Sequence, residues 1–430
     1  MKKLKYPPIL QWEVTPLCNH NCVHCYNYWR IDNEIENVKV NHCEIADKII
    51  DNKPAAVVIT GGEPLLVFED IKESIIKMHE KGISLSINTN AVLVTEDIAR
   101  FMNEYNISAF ISLPCAEPNI CDHITDTKDS LTRISKGIKI LLNNDVRLSV
   151  NMVVSKINFE YIYYTAKYAK EELGVDSFFA SRVSKPINSD LSFKEQLLSK
   201  EQINHMENEL VRINKELGMR VGTAGSIPAC SINSQEVFDM CAYRRTCTAG
   251  RISYAVDTMG NIKACPRDVK IYGNILTDDF FKVWDSMEEW RDGSLLPKEC
   301  KECSVKTFCN GGCRLDALPL TGKRDSLDPI ADITALPIKF QRKIEQCITS
   351  EDEILAIPPI IMFVKEDFGW RASVGPSTMY VTEEMKEFLG EKSKFTVKDF
   401  MIKYDIEFDI AKNIFNSLIR NNIIYVVSKK

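Results

Sequence analysis

The order of the 430 residues predicts an α/β fold, a partial (β/α)6 barrel of the TIM type, and three observations carry that expectation. Six short β-branched runs alternate with longer segments of helical period between residue 9 and about residue 182. Three cysteines, Cys18, Cys22 and Cys25, follow closely on the first run, and a glycine-rich turn, Gly61-Gly62-Glu63-Pro64, follows the second. Strand-helix units in series give a parallel sheet with right-handed crossovers, which gathers the C-terminal ends of the strands on one rim. Chemistry in such barrels sits on that rim, and both features fall there.

In chain order the runs are ILQWEVT (9–15), AAVVIT (55–60), SLSINT (84–89), SAFISL (108–113), VRLSVNMVV (146–154) and DSFFASRV (176–183). Between them EDIKESIIKMHEKG, TEDIARFMNEY, SLTRISKGIKILLNN and FEYIYYTAKYAKEELG repeat apolar residues every three or four positions, the period of a half-buried helix. A further helix near 199–217 leads to the end of the barrel domain, expected at 1–235. From 236 to 349 the chain holds eight cysteines, several glycines and little periodicity, so metal rather than a large apolar core is expected to organise it. The tail, 350–430, reads as a small α+β winged-helix-like module joined through Pro358 and Pro359. Strands IIMFVK and STMYV precede three short helices and a closing strand, IIYVVS, and Ile410, Ile414 and Leu418 form a core-facing stripe on the last helix.

With 45% hydrophobic and 27% charged residues and a formal charge of -6, the chain has the balance of a mildly acidic globular protein. No nucleic-acid or membrane partner is indicated, and residues 351–430 carry 11 Lys and Arg against 13 Asp and Glu, a poor match to phosphate. The start, MKKLKYPPILQWEVT, lacks an apolar run of signal length, which places the expected location in the cytoplasm. Fifteen cysteines in that compartment argue for metal ligation over disulfides. Cys43, Cys115, Cys121 and Cys230 fall outside any pattern and read as small core or surface residues.

A four-iron cubane is normally held by four thiolates, and the Cys18-x3-Cys22-x2-Cys25 run supplies three. One iron is then left open to bind a small molecule. The competing reading is a structural zinc site with His20 or His24 as fourth ligand, but zinc sites usually add a second nearby pair of cysteines.

With the GGEP turn at 61–64, the thiol run resembles the signature of the radical S-adenosylmethionine (SAM) superfamily. The resemblance implies that the open iron binds the amino and carboxylate groups of SAM, that Gly61, Gly62, Glu63 and Pro64 hold its amino group, and that Thr89, Ser112 and Lys156 line the pocket. Cys247, Gly260, Cys265, Cys300, Cys303, Cys309, Cys313 and Cys347 are spaced as in the SPASM twin-cluster extension, with Cys241 as an eighth thiolate. By that resemblance the first auxiliary cluster takes Cys241, Cys247, Cys265 and Cys313, and the second Cys300, Cys303, Cys309 and Cys347, giving three 4Fe–4S clusters. The tail resembles PqqD-like modules that bind a leader peptide as an added strand. The family chemistry is reductive cleavage of SAM to a 5′-deoxyadenosyl radical, with electrons from a reductant such as flavodoxin or ferredoxin. The expected function is oxidative maturation of a ribosomally made precursor peptide, by a thioether or C–C crosslink. The alternatives are an anaerobic sulfatase maturase, against which Pro266 stands where that group carries an Asp, and a non-catalytic zinc scaffold. The acid or base is not assigned; Tyr26, Arg182, Arg267 and Asp268 are candidates.

Overall fold

The computed structural model describes residues 3–27, 40–189, 191–242, 246–335 and 347–427, those at 191, 192, 241 and 242 as backbone only. The six β-branched runs form β1 (Ile9–Glu13), β2 (Ala56–Thr60), β3 (Ser84–Thr89), β4 (Ser108–Ser112), β5 (Leu148–Val154) and β6 (Ser177–Arg182). Each pairs parallel with the next, Trp12 standing opposite Ile59 and Ile87 opposite Ala109. The crossovers are α1 (His42–Asp51), α2 (Phe68–Glu80), α3 (Glu96–Glu104), α4 (Pro118–Thr125) with α5 (Ser130–Asn143), and α6 (Ile162–Glu171). Their buried residues recur at helical spacing, as with Phe68, Ile71, Ile75 and Met78 on α2. α7 (Lys200–Leu217) opens with a capping box between Ser199 and Gln202 and stops at Gly218, which has φ +65°.

The sheet runs past the boundary expected at 235. β7 (Arg220–Gly222) adds parallel to β6, and β8 (Ser253–Val256) adds parallel to β1 from the other side. β9 (Asn261–Lys263) and β10 (Gly273–Asn274) extend that edge antiparallel, giving the order β10-β9-β8-β1-β2-β3-β4-β5-β6-β7, a partial barrel. Tyr254, Trp284 and Met287 share one apolar core with Leu10 and Trp12. The first part of the cysteine-rich segment thus shares the apolar core of the barrel, where the sequence suggested metal rather than a large apolar core.

The tail folds around its own core. β11 (Ile354–Ala356) lies between β15 (Lys394–Thr396) and β16 (Tyr425–Val426), while β12 (Met362–Glu366), β13 (Gly369–Val374) and β14 (Ser377–Val381) form an antiparallel meander. The three expected helices are Glu383–Glu391, Val397–Tyr404 and Phe408–Arg420. β13 escapes the sequence because Arg371 interrupts its apolar pattern. The stripe on the last helix also differs from expectation: Ile410 is 51% exposed, and Ala411, Phe415 and Leu418 face the core. The aromatic ring decides, since Phe415 packs on Phe395 and Phe400 with centroids 5.2 and 5.0 Å away.

Arg371 docks this module under the barrel. It is wholly buried, donating from Nη1 to Tyr6 O at 2.5 Å and from Nη2 to Lys53 O at 3.0 Å. Glu366 Oε2 accepts from Lys5 N–H at 2.7 Å beside it. These contacts precede β1 and β2, so the module sits at the end of the sheet opposite the rim. Arg371→Ala is expected to destabilise the docked state by about 3–5 kcal/mol, because Glu366 and two carbonyls lose their partner. Denaturant unfolding with hydrogen exchange at Tyr6 and in β13 measures it.

On α7, Glu207 is wholly buried with both carboxylate oxygens unpartnered. Burial raises it to about 8, against the opposing charge of Arg182. The folded chain keeps a proton there that the unfolded chain releases near the ordinary carboxylate value, so stability falls as pH rises from that value towards about 8. Glu207→Gln is expected to flatten this fall, read from urea midpoints across the same window.

Candidate active site at the strand rim

Between β1 and α1 the thiol loop is held by backbone bonds on both sides. Gly62 N–H donates to Thr15 O and Glu63 N–H to Leu17 O, both at 2.7 Å, and Asn27 Nδ2 donates to Gly61 O at 3.1 Å. Opposite, Asn21 N–H donates to Thr125 O at 3.0 Å and Val23 N–H to Ile124 O at 2.9 Å, tying the loop to the end of α4. Gln196 Nε2 donates to Val23 O at 3.2 Å. Within the loop His20 N–H donates to Cys18 Sγ at 3.5 Å and Cys25 N–H to Cys22 O at 3.1 Å.

The two glycines are required by space. Gly61 has φ +133°, and a Cβ there would lie 2.4 Å from Thr15 O; at Gly62 it would lie 1.9 Å from Leu17 O. Glu63 is buried and braces two strands: Oε1 accepts from Thr89 Oγ1 at 2.7 Å and Leu65 N–H at 3.1 Å, and Oε2 from Asn90 N–H at 2.8 Å. Burial raises this carboxyl while the Asn90, Thr89 and Leu65 donors oppose the shift. Pro64 opens the short helix that follows. Thr89 is thus joined to Glu63, while Ser112 and Lys156 stand exposed on the same rim, at the end of β4 and two residues past β5.

Rim residues that sequence reasoning missed are Asn90, which also reaches Asn19 Oδ1 at 2.7 Å, and the pair Ser181 Oγ and Asn151 Oδ1 at 2.6 Å. A polar residue buried inside an apolar strand, as Asn151 is, was the available signal.

The downstream thiols form two neighbourhoods. Cys247, Cys265 and Cys313 lie in one: burial pushes Cys247 up to about 11 and Cys265 and Cys313 to about 12, with Cys313 adding to the rise at Cys247 and Cys247 to that at Cys265. The side chain of Cys241 lies outside the described residues. Cys300, Cys303 and Cys309 lie in the other. Cys347 is placed with the C-terminal module, its N–H donating to Asn416 Oδ1 at 2.9 Å.

Arg182 joins the rim to the first neighbourhood. It grips Asp328 with two bonds of 2.8 and 2.6 Å and reaches Asp316 Oδ2 at 2.5 Å. Asp328 Oδ2 accepts from Cys313 N–H at 2.7 Å, and Arg267 donates to Asp316 Oδ1 at 2.5 Å and to Cys313 Sγ at 3.5 Å. Burial would raise Asp316, but Arg182 and Arg267 hold it down at about 2. Asp268 is taken up by Arg324 and the Lys270 N–H. Burial pushes the Tyr26 phenol up, and the nearby charges of Glu13, Cys25 and Cys265 add to it.

Among the described residues no three Cys, His, Asp or Glu side chains converge closely enough to hold one metal ion, as a tetrahedral zinc would require. Three partly buried thiols on one braced loop, beside a cradle free of side chains, fit a cluster with one iron open to a small ligand. Gly62→Ala is expected to lower iron after anaerobic reconstitution by about four per chain. Gly225→Ala, where a Cβ meets nothing within 4 Å, should leave iron unchanged.

Residues 12–169 match the Radical SAM superfamily profile. The AdoMet-dependent heme synthase of Methanosarcina barkeri is 24% identical over 339 residues, 74% of this chain and 93% of that protein. The mycofactocin maturase MftC of Mycolicibacterium smegmatis is 27% identical, covering 74% of this chain and 82% of that protein. In fold the chain is similar to Streptococcus suis SuiB bound to the precursor peptide SuiA, with TM-score 0.61, 20% identity and 77% of each chain covered. The barrel and thiol loop of this chain are thus similar to those of the radical SAM superfamily.

Proposed function

We propose that this enzyme matures a ribosomally made precursor peptide, oxidising it to a thioether or C–C crosslink. SAM and the reduced cluster, when bound, supply the 5′-deoxyadenosyl radical that removes the first hydrogen atom. The chain's own part is placement. Gly61 and Gly62 offer backbone carbonyls close to the thiol loop, and Glu63, Thr89 and Asn90 fix that turn against β3. Cys18, Cys22 and Cys25 would hold the SAM-binding cluster. Cys247, Cys265 and Cys313, with Cys241, would hold an auxiliary cluster on the far side of Arg182, suited to take the second electron of an oxidation. Ser112 and Lys156, on the rim, would face SAM.

The observation that carries the peptide reading is the free edge of β14. The meander order is β12-β13-β14, so among the described residues β14 has a strand partner on one side only. Tyr380 on this strand is 46% exposed. An edge of this kind can take an extended peptide as a further strand, with backbone bonds giving affinity and alternate side chains giving choice. Similarity to MftC, a maturase, and to SuiB, solved with its precursor peptide, supports the same substrate class.

The heme synthase relative favours a second reading, a tetrapyrrole substrate. The two separate by experiment. The reconstituted enzyme is supplied with SAM, dithionite and either the peptide encoded by a short neighbouring reading frame or an iron porphyrin. A loss of two hydrogens per crosslink in the peptide mass, with 5′-deoxyadenosine formed, is expected. Consumption of the porphyrin with the peptide unchanged would contradict the proposal.

A further inference from the structure

Cys230 belongs to none of the spaced sets in the sequence, yet the fold carries it to the thiols that follow it by some seventy residues. It sits on a single helical turn, Ala229–Ser231, that docks on the loop from Cys309 to Cys313. Ala229 N–H donates to Cys309 Sγ at 3.3 Å, and both residues are buried. On the other side of the loop Pro228 closes on Gly312, where a Cβ would lie 2.8 Å from Pro228 Cγ. The Phe238 and Phe308 rings, 5.5 Å apart, fasten the two segments a little farther on.

The turn therefore presents Cys230 to the second thiol neighbourhood. Cys230 lies in the field of Cys309 and Cys303, and Cys300 in that of Cys309, Cys230 and Cys303. The Cys230 sulfur takes a backbone bond from Asp332, as the Cys309 sulfur does from Ala229. Such N–H to sulfur bonds tune and orient cluster thiolates. Cys347 has a different setting. Its N–H is held by Asn416 on the helix Phe408–Arg420, and the next residue, Ile348, is wholly buried in the C-terminal core.

We propose that Cys230, with Cys300, Cys303 and Cys309, closes the second auxiliary cluster, and that Cys347 is not its ligand. The proposal rests on the reading that the chain holds auxiliary clusters. It replaces the assignment that the family resemblance implies. Four thiolates leave that cluster without an open iron, and they staple the segment after β7 to the cysteine-rich loops.

The test counts iron in a chain carrying Cys18→Ala, Cys22→Ala and Cys25→Ala, so that auxiliary iron alone remains, about eight per chain after anaerobic reconstitution. Adding Cys230→Ala is expected to remove about four irons, or to leave a cubane that loses one iron on oxidation and gives the paramagnetic signal of a three-iron cluster. Cys230→Ser, which can ligate through oxygen, is expected to keep the iron with a shifted reduction potential, and it guards against misfolding of the alanine variant. Cys347→Ala and the unrelated Cys43→Ala are expected to keep full iron and give no three-iron signal. Full iron and no such signal in Cys230→Ala, with an unshifted potential in Cys230→Ser, would overturn the proposal. A background chain with no iron would instead overturn the auxiliary-cluster reading, and the assignment with it.

Discussion

The rim depends on the contact between two stretches of backbone, Gly61–Gly62 on one side and Thr15–Leu17 on the other. No side chain fits between them, since a Cβ at Gly62 would lie 1.9 Å from Leu17 O. That approach lets Gly62 and Glu63 donate to Thr15 and Leu17, which fixes the start of the thiol loop relative to β2. Glu63 then passes the constraint to β3 through Thr89 and Asn90. The start of the thiol loop is thereby held to the register of three parallel strands. Placement on that scale separates a working site from one slowed by orders of magnitude.

A second device couples the rim to the cysteine-rich segment. Arg182 at the end of β6 is 7% exposed and shared by Asp316 and Asp328, whose other bonds run to Arg267 and to the Cys313 backbone. Buried ion pairs of this kind add little net stability, because desolvation offsets much of the attraction. They do fix direction, as a guanidinium fork on a carboxylate has few alternative geometries. The network thus orients Cys313 relative to the barrel.

How much of this the sequence discloses varies with how local the signal is. The six strands were legible because β-branched runs and helical periods are local and parallel pairing follows from their order. β7 to β10 were not, being only two to four residues long, and β8 is placed by pairing with β1, far back in the chain. The Cys18, Cys22, Cys25 and GGEP motifs were legible as motifs, but the brace through Asn90 was not, since it uses a backbone N–H that any residue could supply. Asp316 and Asp328 looked like ordinary acids until folding set them on one arginine. Cys230 fails for the same reason: its partners are chosen by docking of a helical turn and not by spacing. On the last helix the expected stripe of Ile410, Ile414 and Leu418 kept Leu418 in the core, but Ala411 and Phe415 took the inward positions before it, because Phe415 had rings to pack against.

The central claim is an iron left open at the Cys18, Cys22 and Cys25 loop, and SAM itself probes it. Low-temperature electron paramagnetic resonance of the anaerobic, dithionite-reduced chain should show a cluster signal that changes shape when SAM is added, and Cys22→Ala should lose both the signal component and its response. A reduced spectrum indifferent to SAM, or one that Cys22→Ala leaves intact, would contradict the account.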